Sequence, residues 1–111
     1  PMTDYIDSIL EDYRDCLSNI EKKPVYCILN MLRVYRYLKD GTIFSKMEAG
    51  KWGVTYLPEK HSQLVNLAID MYKGERSDLQ FKTEILVAFK EYIKEEVNAL
   101  LTLRSGRIDE N

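Results

Sequence analysis

The sequence predicts an all-α fold, a bundle of about five helices closed by a long C-terminal one. Three observations predict it. Apolar residues recur at spacings of three and four through most of the chain, the breaks between these stretches are short and marked by Pro or Gly, and no segment alternates with the period of two that a strand requires. At 111 residues, 45% of them apolar and eight of them tyrosine, the chain is large enough for one hydrophobic core and reads as a single helical domain over 1–111.

Taken in order, Ile6, Ile9, Leu10, Tyr13, Leu17 and Ile20 mark a first amphipathic helix, with Thr3 or Asp4 as its expected cap. Lys22-Lys23-Pro24 ends that stretch, and proline suits the first position of the next helix. Val25 to Leu38 is apolar on nearly every side, which predicts a helix central to the core, stopped at Asp40-Gly41. Ser45-Lys46-Met47-Glu48 has the spacing of a capping box and predicts the start of a third helix, with Trp52, Tyr56 and Leu57 as its apolar stripe. Pro58 breaks that helix. A fourth follows, lined by His61, Leu64, Val65, Ala68, Ile69 and Tyr72 and closed by Gly74. Ser77-Asp78 is the expected cap of a fifth, whose stripe runs from Leu79 through Ile85, Leu86, Phe89, Tyr92, Ile93, Val97 and Leu100 to Leu103, ending near Gly106. At 1.5 Å per residue roughly 25 residues make it the longest strut.

Composition narrows the functional classes. Sixteen basic and eighteen acidic residues are spread along the chain, so no broad basic face favours nucleic acid. No apolar run approaches the ~20 residues of a membrane span, and no basic-then-apolar leader opens the sequence. Cys16 and Cys27 stand singly, without a Cys-x-x-Cys pair and with one histidine in the chain, which speaks against a zinc site or a disulfide framework and for reduced thiols in the cytoplasm. Monomer is the default expectation. Pro1-Met2 is not a translation start, so the chain reads either as a piece of a longer protein or as carrying a proline left by a tag.

An enzyme reading meets missing parts. There is no Gly-rich phosphate loop, no His-x-x-x-His and no Asp-x-Asp pair to clamp magnesium. His61, on an amphipathic helix just after Pro58, is expected at the surface or partly packed. The Arg-then-His spacing of helical ribonucleases fails, because Val54, Thr55 and Tyr56 occupy the positions where the arginine would fall.

Two cations stand out instead. Lys46 falls at the first position of the capped third helix, where unpaired N–H groups and the helix dipole favour an anion; an ordinary solvated lysine is the alternative. Arg33 lies in the most apolar helix and must find a carboxylate or phosphate partner or stay at the helix edge. A structural ion pair and a ligand contact both satisfy that. Met31, Tyr35 and Trp52 continue helical stripes and are assigned to packing, and Tyr72 is spaced to bury its ring with its hydroxyl outward.

From Tyr26 to Lys73 the sequence resembles the C-terminal helical domain of the streptomycin and spectinomycin adenylyltransferases, the aminoglycoside nucleotidyltransferases. The residues that carry the resemblance are Leu32-Arg33 and Tyr35 at the end of an apolar helix, Gly41-Thr-Ile, Ser45-Lys46, Glu48-Ala49, Trp52, Leu57-Pro58 and Tyr72. The resemblance implies a longer protein whose N-terminal nucleotidyltransferase domain, absent from this chain, holds the magnesium and the catalytic base. It implies ATP as nucleotide, an aminoglycoside or aminocyclitol as acceptor, Lys46 and Tyr72 as phosphate contacts, Arg33 as a further cation at the interdomain cleft, and no catalytic or metal-ligating residue in this chain.

One departure bears on substrate. Family members acting on streptomycin carry acidic residues and a tryptophan just before the second helix, whereas an ungapped match places Arg14, Asn19 and Lys23 there. Cations repel a polycationic drug. Glu21 and Asp15, with Asp12 nearby, are the substitutes if the match slips, and the choice between a spectinomycin-type substrate and a different hydroxyl-bearing acceptor stays open. A stand-alone helical interaction module is the competing expectation, and a nucleotidyltransferase with a different acceptor a third.

Overall fold

A computed structural model of the chain describes the backbone of residues 2–75 and 80–110 and the side chains of 5–75 and 80–105. Among these described residues are five helices, α1 (Met2–Asn19), α2 (Pro24–Asp40), α3 (Lys46–Tyr56), α4 (Glu59–Tyr72) and α5 (Thr83–Glu110). The all-α expectation holds, with the long helix at the C-terminal end. No helix among the described residues is long and apolar enough to cross a membrane.

Helix α2 is the axis of the molecule. Pro24 occupies its first turn, and Gly41, at φ 77°, ends it in the left-handed conformation with its N–H on the Tyr37 carbonyl. Ile28, Leu29, Met31, Leu32 and Val34 are fully buried and Tyr35 nearly so, because α1, α3, α4 and α5 all pack around this one helix. Helix α1 runs antiparallel to it: the Tyr5 ring meets Tyr37 at 5.3 Å at one end. At the other end the Cys16 and Cys27 thiols, both free and fully buried, lie against each other.

The connection from α2 to α3 sets up everything that follows. Residues 41–45 do not reverse the chain into an antiparallel hairpin; they run back along α2, so that α3 starts near the beginning of α2 and the two helices run parallel. Gly50 lies against Leu29 and Gly53 against Leu32. A Cβ would fall 2.9 Å from Leu29 Cδ2 at Gly50 and 2.9 Å from Leu32 Cδ1 at Gly53, so at either contact a side chain enters only if the leucine shifts. Three residues on one face of α2 hold the return segment. Arg33 Nε donates to the Phe44 carbonyl at 3.0 Å, the Arg36 guanidinium lies 5.0 Å from the Phe44 ring centre, and Asp40 accepts from the Thr42 N–H at 3.1 Å.

Helix α4 turns back at Leu57-Pro58 and runs antiparallel to α3, with Ile69 against Gly50. Gly74, at φ 79°, closes it, and its N–H bonds the Met71 carbonyl while that of Glu75 bonds Asp70. Helix α5 then spans the whole bundle: Phe89 and Tyr92 pack on His61, Tyr35 donates to Glu96 at 2.8 Å, and Lys90 reaches the Leu17 carbonyl at 3.3 Å.

Several expectations need correction. Helix α1 already includes Met2, so Thr3 and Asp4 are inside it rather than capping it. The expected cap at Ser77-Asp78, and Leu79, lie outside the described residues, and α5 continues past Gly106. His61, expected at the surface or partly packed, is buried, because the face it shares with Leu64, Val65 and Ala68 lies beneath Phe89 and Tyr92 of α5. Tyr56 is exposed and stacks on Trp52 at 4.7 Å instead of joining the core with Leu57. Tyr72 is half exposed.

Candidate functional site

Because α2 and α3 run parallel and α4 runs antiparallel to α3, the start of α2, the start of α3 and the end of α4 share one end of the bundle. With Ile69 against Gly50, one turn onward along α4 is Tyr72 and one turn back along α3 is Lys46. Lys46 and Tyr72 therefore belong to one end of the molecule, although 26 residues of sequence separate them, and Arg33, from the middle of α2, joins them through the Phe44 carbonyl two residues before Lys46.

Lys46 is the first residue of α3. The capping box forms as the spacing predicts: Ser45 Oγ accepts from the Glu48 N–H at 3.1 Å and Glu48 Oε1 accepts from the Ser45 N–H at 2.9 Å. That bond holds the Glu48 carboxyl below its ordinary pKa. The N–H groups of Lys46 and Met47, the first two of the helix, have no intrahelical partner. The Lys46 ammonium lies 4.8 Å from the ring centre of Tyr26, the exposed tyrosine at the start of α2. A ring face attracts a cation without neutralising it.

Arg33 finds no carboxylate among the described residues. Its Nε donates to the Phe44 carbonyl at 3.0 Å and its Nη1 to Asn30 Oδ1 at 3.2 Å, both uncharged acceptors. The ion pair among the described residues belongs to the neighbouring Arg36, with Asp40 at 2.9 Å. Of the two roles that its sequence position leaves open to Arg33, ion pair or ligand contact, the first is therefore absent from this arrangement. Asn30, nearly fully buried, passes its own amide N–H to the Tyr26 carbonyl at 3.1 Å. Tyr26, Asn30 and Arg33 thus form one line along α2, at positions i, i+4 and i+7.

The two acidic residues expected on the acceptor side lie at the α1–α2 corner. Asp15 is exposed and accepts from Asn19 Nδ2 at 3.0 Å. The phenol pKa of Tyr26, at the start of α2, is raised first by partial desolvation and then by the Asp12 carboxylate, with Cys16, Cys27 and Asp15 adding less. Glu21 lines a shallow recess of about 300 Å³ with Pro24, Met71 and Phe81. Met71 precedes Tyr72, so this recess adjoins the same end of the bundle. Among the described residues no three His, Cys, Asp or Glu side chains converge as a metal site would require.

Tyr26 and Asn30 belong to this cluster without standing out in the sequence. Their signal is the Tyr-x-x-x-Asn-x-x-Arg spacing, which puts all three on one helix face, but it carries meaning only once Phe44 and Lys46 are known to return to that face.

The family described as aminoglycoside adenylyltransferase, C-terminal domain, matches over residues 1–104. The chain is also similar to the spectinomycin 9-adenylyltransferases of Staphylococcus aureus strains Mu50 and N315, with 29% identity over 105 residues, which is 91% of this chain and 39% of each relative. It thus spans about two-fifths of the length of these relatives. No solved structure matches the chain.

Proposed function

The chain belongs to the family of aminoglycoside adenylyltransferase C-terminal domains, and from that premise we propose that it is the nucleotide- and acceptor-binding part of an enzyme that transfers AMP from ATP to a hydroxyl of a spectinomycin-type aminocyclitol. The relatives named for spectinomycin adenylylation are more than twice as long as the matched region, which leaves room for an N-terminal nucleotidyltransferase domain. In the reaction the acceptor oxygen attacks the α-phosphorus in line, its proton passes to a base, the bond to the bridging oxygen breaks and pyrophosphate leaves. Magnesium, when bound, would neutralise the triphosphate and the leaving group; among the described residues no carboxylates converge on such an ion, and the proposal assigns both it and the base to the N-terminal domain.

What this chain contributes is fixed positive charge. The observation that carries the reading is Arg33, a half-buried guanidinium held by a carbonyl and an amide and paired with no carboxylate among the described residues, near a capped helix N-terminus with Lys46 on its first residue. Arg33, Lys46 and the Tyr72 hydroxyl hold the phosphates on this reading, and Asp15 and Glu21 border the acceptor. The intact enzyme works as a cytoplasmic monomer on small molecules.

The test is AMP transfer to spectinomycin and to streptomycin by the intact protein and its Lys46→Ala variant. Spectinomycin adenylylation that falls at least tenfold in Lys46→Ala, by kcat or by nucleotide KM, supports the proposal. Unchanged kinetics remove Lys46 from the phosphate site, and transfer to neither drug by a folded wild-type protein overturns the acceptor class.

A further inference from the structure

Arg33 can serve an anion only if whatever holds it leaves its charge free, and that requirement falls on Asn30. The Asn30 side chain has two demands on it. Arg33 Nη1 is a donor and needs an acceptor, which it meets at 3.2 Å; the Tyr26 carbonyl is an acceptor and meets a donor at 3.1 Å. Only an amide offers an acceptor and a donor from one planar group at this length of side chain. Aspartate would supply the acceptor without the donor and would add a charge. Alanine would supply neither, and glutamine would overshoot by a methylene in a position already nearly fully buried.

We propose that Asn30 is a positioning residue for the anion site: it orients the Arg33 guanidinium from below, through a neutral hydrogen bond, so that the full positive charge remains available to the nucleotide phosphates. The Phe44 carbonyl completes the hold from the return segment, fixing Nε, so two of the guanidinium's donor groups are committed to uncharged oxygens. The remaining N–H groups of Arg33 form the fork that a phosphate takes. The same Asn30 amide ties the start of α2 to Arg33, through the carbonyl of Tyr26, whose ring lies against Lys46. One buried amide therefore links the supports of both cations.

The inference rests on the reading of Arg33 as a phosphate contact and sharpens it to a charge argument, which Asn30→Asp tests. The substitution preserves the shape of the side chain and places a carboxylate against Arg33. Repulsion from the Tyr26 carbonyl and the new ion pair oppose each other in stability, while the free charge of Arg33 is lost. Binding of inorganic tripolyphosphate and of ATP to the intact protein is measured by calorimetry for wild type, Asn30→Asp, Asn30→Ala and Arg33→Ala, with thermal unfolding alongside. The expected result is that Asn30→Asp loses about as much affinity as Arg33→Ala, on the order of tenfold or more, with a melting temperature within a few degrees of wild type. Asn30→Ala, which loosens Arg33 without neutralising it, should lose less affinity than Asn30→Asp despite being the less stable of the two. Should Asn30→Asp fail to fold, wild-type affinity in Asn30→Ala overturns the proposal. It is overturned equally if Asn30→Asp binds as wild type while Arg33→Ala does not, in which case Arg33 keeps its role and Asn30 is structural. Wild-type affinity in Arg33→Ala overturns the phosphate reading itself, and the proposal with it.

Discussion

Lys46 and Arg33 are positioned by different devices, one on a capped helix start and the other on a packed helix face, and each device makes its own prediction. Ser45→Ala removes the acceptor for the Glu48 N–H and should cost about 1 kcal/mol of stability, read as a lower urea midpoint; because the cap also fixes where Lys46 starts its helix, nucleotide affinity should fall with it. His61 makes a prediction in pH. Burial, with Lys60 adding to it, holds its pKa below the ordinary value near 6.5, and its buried Nδ1 has no hydrogen-bond partner among the described residues. A base whose folded pKa is depressed contributes stability that is full above its unfolded pKa and is lost as pH falls from there through the folded value. Melting temperature should therefore drop as pH is lowered below about 6.5, and the drop should be smaller in His61→Phe, which cannot take up a proton; equal slopes in the two proteins would contradict this account. The lysine's position was legible in the sequence because a capping box is local. The burial of His61 was not, since the face that covers it comes from Phe89 and Tyr92, which lie far along the chain.

At the scale of elements, the parallel arrangement of α2 and α3 decides what can meet what. An antiparallel hairpin would have put Lys46 beside the end of α2, far from Tyr26. The return segment is held instead by Arg33, Arg36 and Asp40, and the close approach of α3 is permitted by Gly50 and Gly53. At Gly50 two effects compete. Alanine gains about 1 kcal/mol of helix propensity, while overpacking a tight contact costs typically 1–3 kcal/mol. Both Leu29 and Ile69 stand within 3.0 Å of the added carbon, with Leu29 fully buried, so packing should win. Gly50→Ala should lower the melting temperature by several degrees, and stabilisation by that change would show that α3 sits farther from α2 than described. The five helices themselves were legible, with Pro24, Gly41, Pro58 and Gly74 as their punctuation. The direction of α3 was not, because periodicity reports which face of a helix is apolar and says nothing of how a five-residue connection runs.

At the scale of the whole molecule, α5 joins the parts into one cooperative unit: it touches α1 through Lys90, α2 through Glu96 and α4 through Tyr92. Tyr35 is nearly fully buried, and burial together with the hydrogen bond to Glu96 pushes its phenol pKa far up, so the hydroxyl stays a donor at any working pH. Tyr35→Phe leaves the Glu96 carboxylate without that donor and should cost roughly 1.5–3 kcal/mol, seen as a lower melting point of a single transition; a separate early transition would mean that α5 detaches on its own. A bundle so tied fixes the helices that carry Arg33 and Lys46 relative to one another, and fixed positions are what the proposed phosphate clamp requires. The resemblance named the lysine, the tyrosine and the arginine, but the neutral support beneath Arg33 depends on Asn30 and the Phe44 carbonyl meeting across the α2–α3 return, and no local pattern announces that. The most direct measurement of the central claim is a crystal structure of the intact protein with magnesium and a non-hydrolysable ATP analogue. The account predicts triphosphate oxygens within about 3 Å of Lys46 Nζ and of the free Arg33 N–H groups, with Asn30 still bonded to Arg33; a triphosphate bound elsewhere, with both cations turned to solvent, would contradict it.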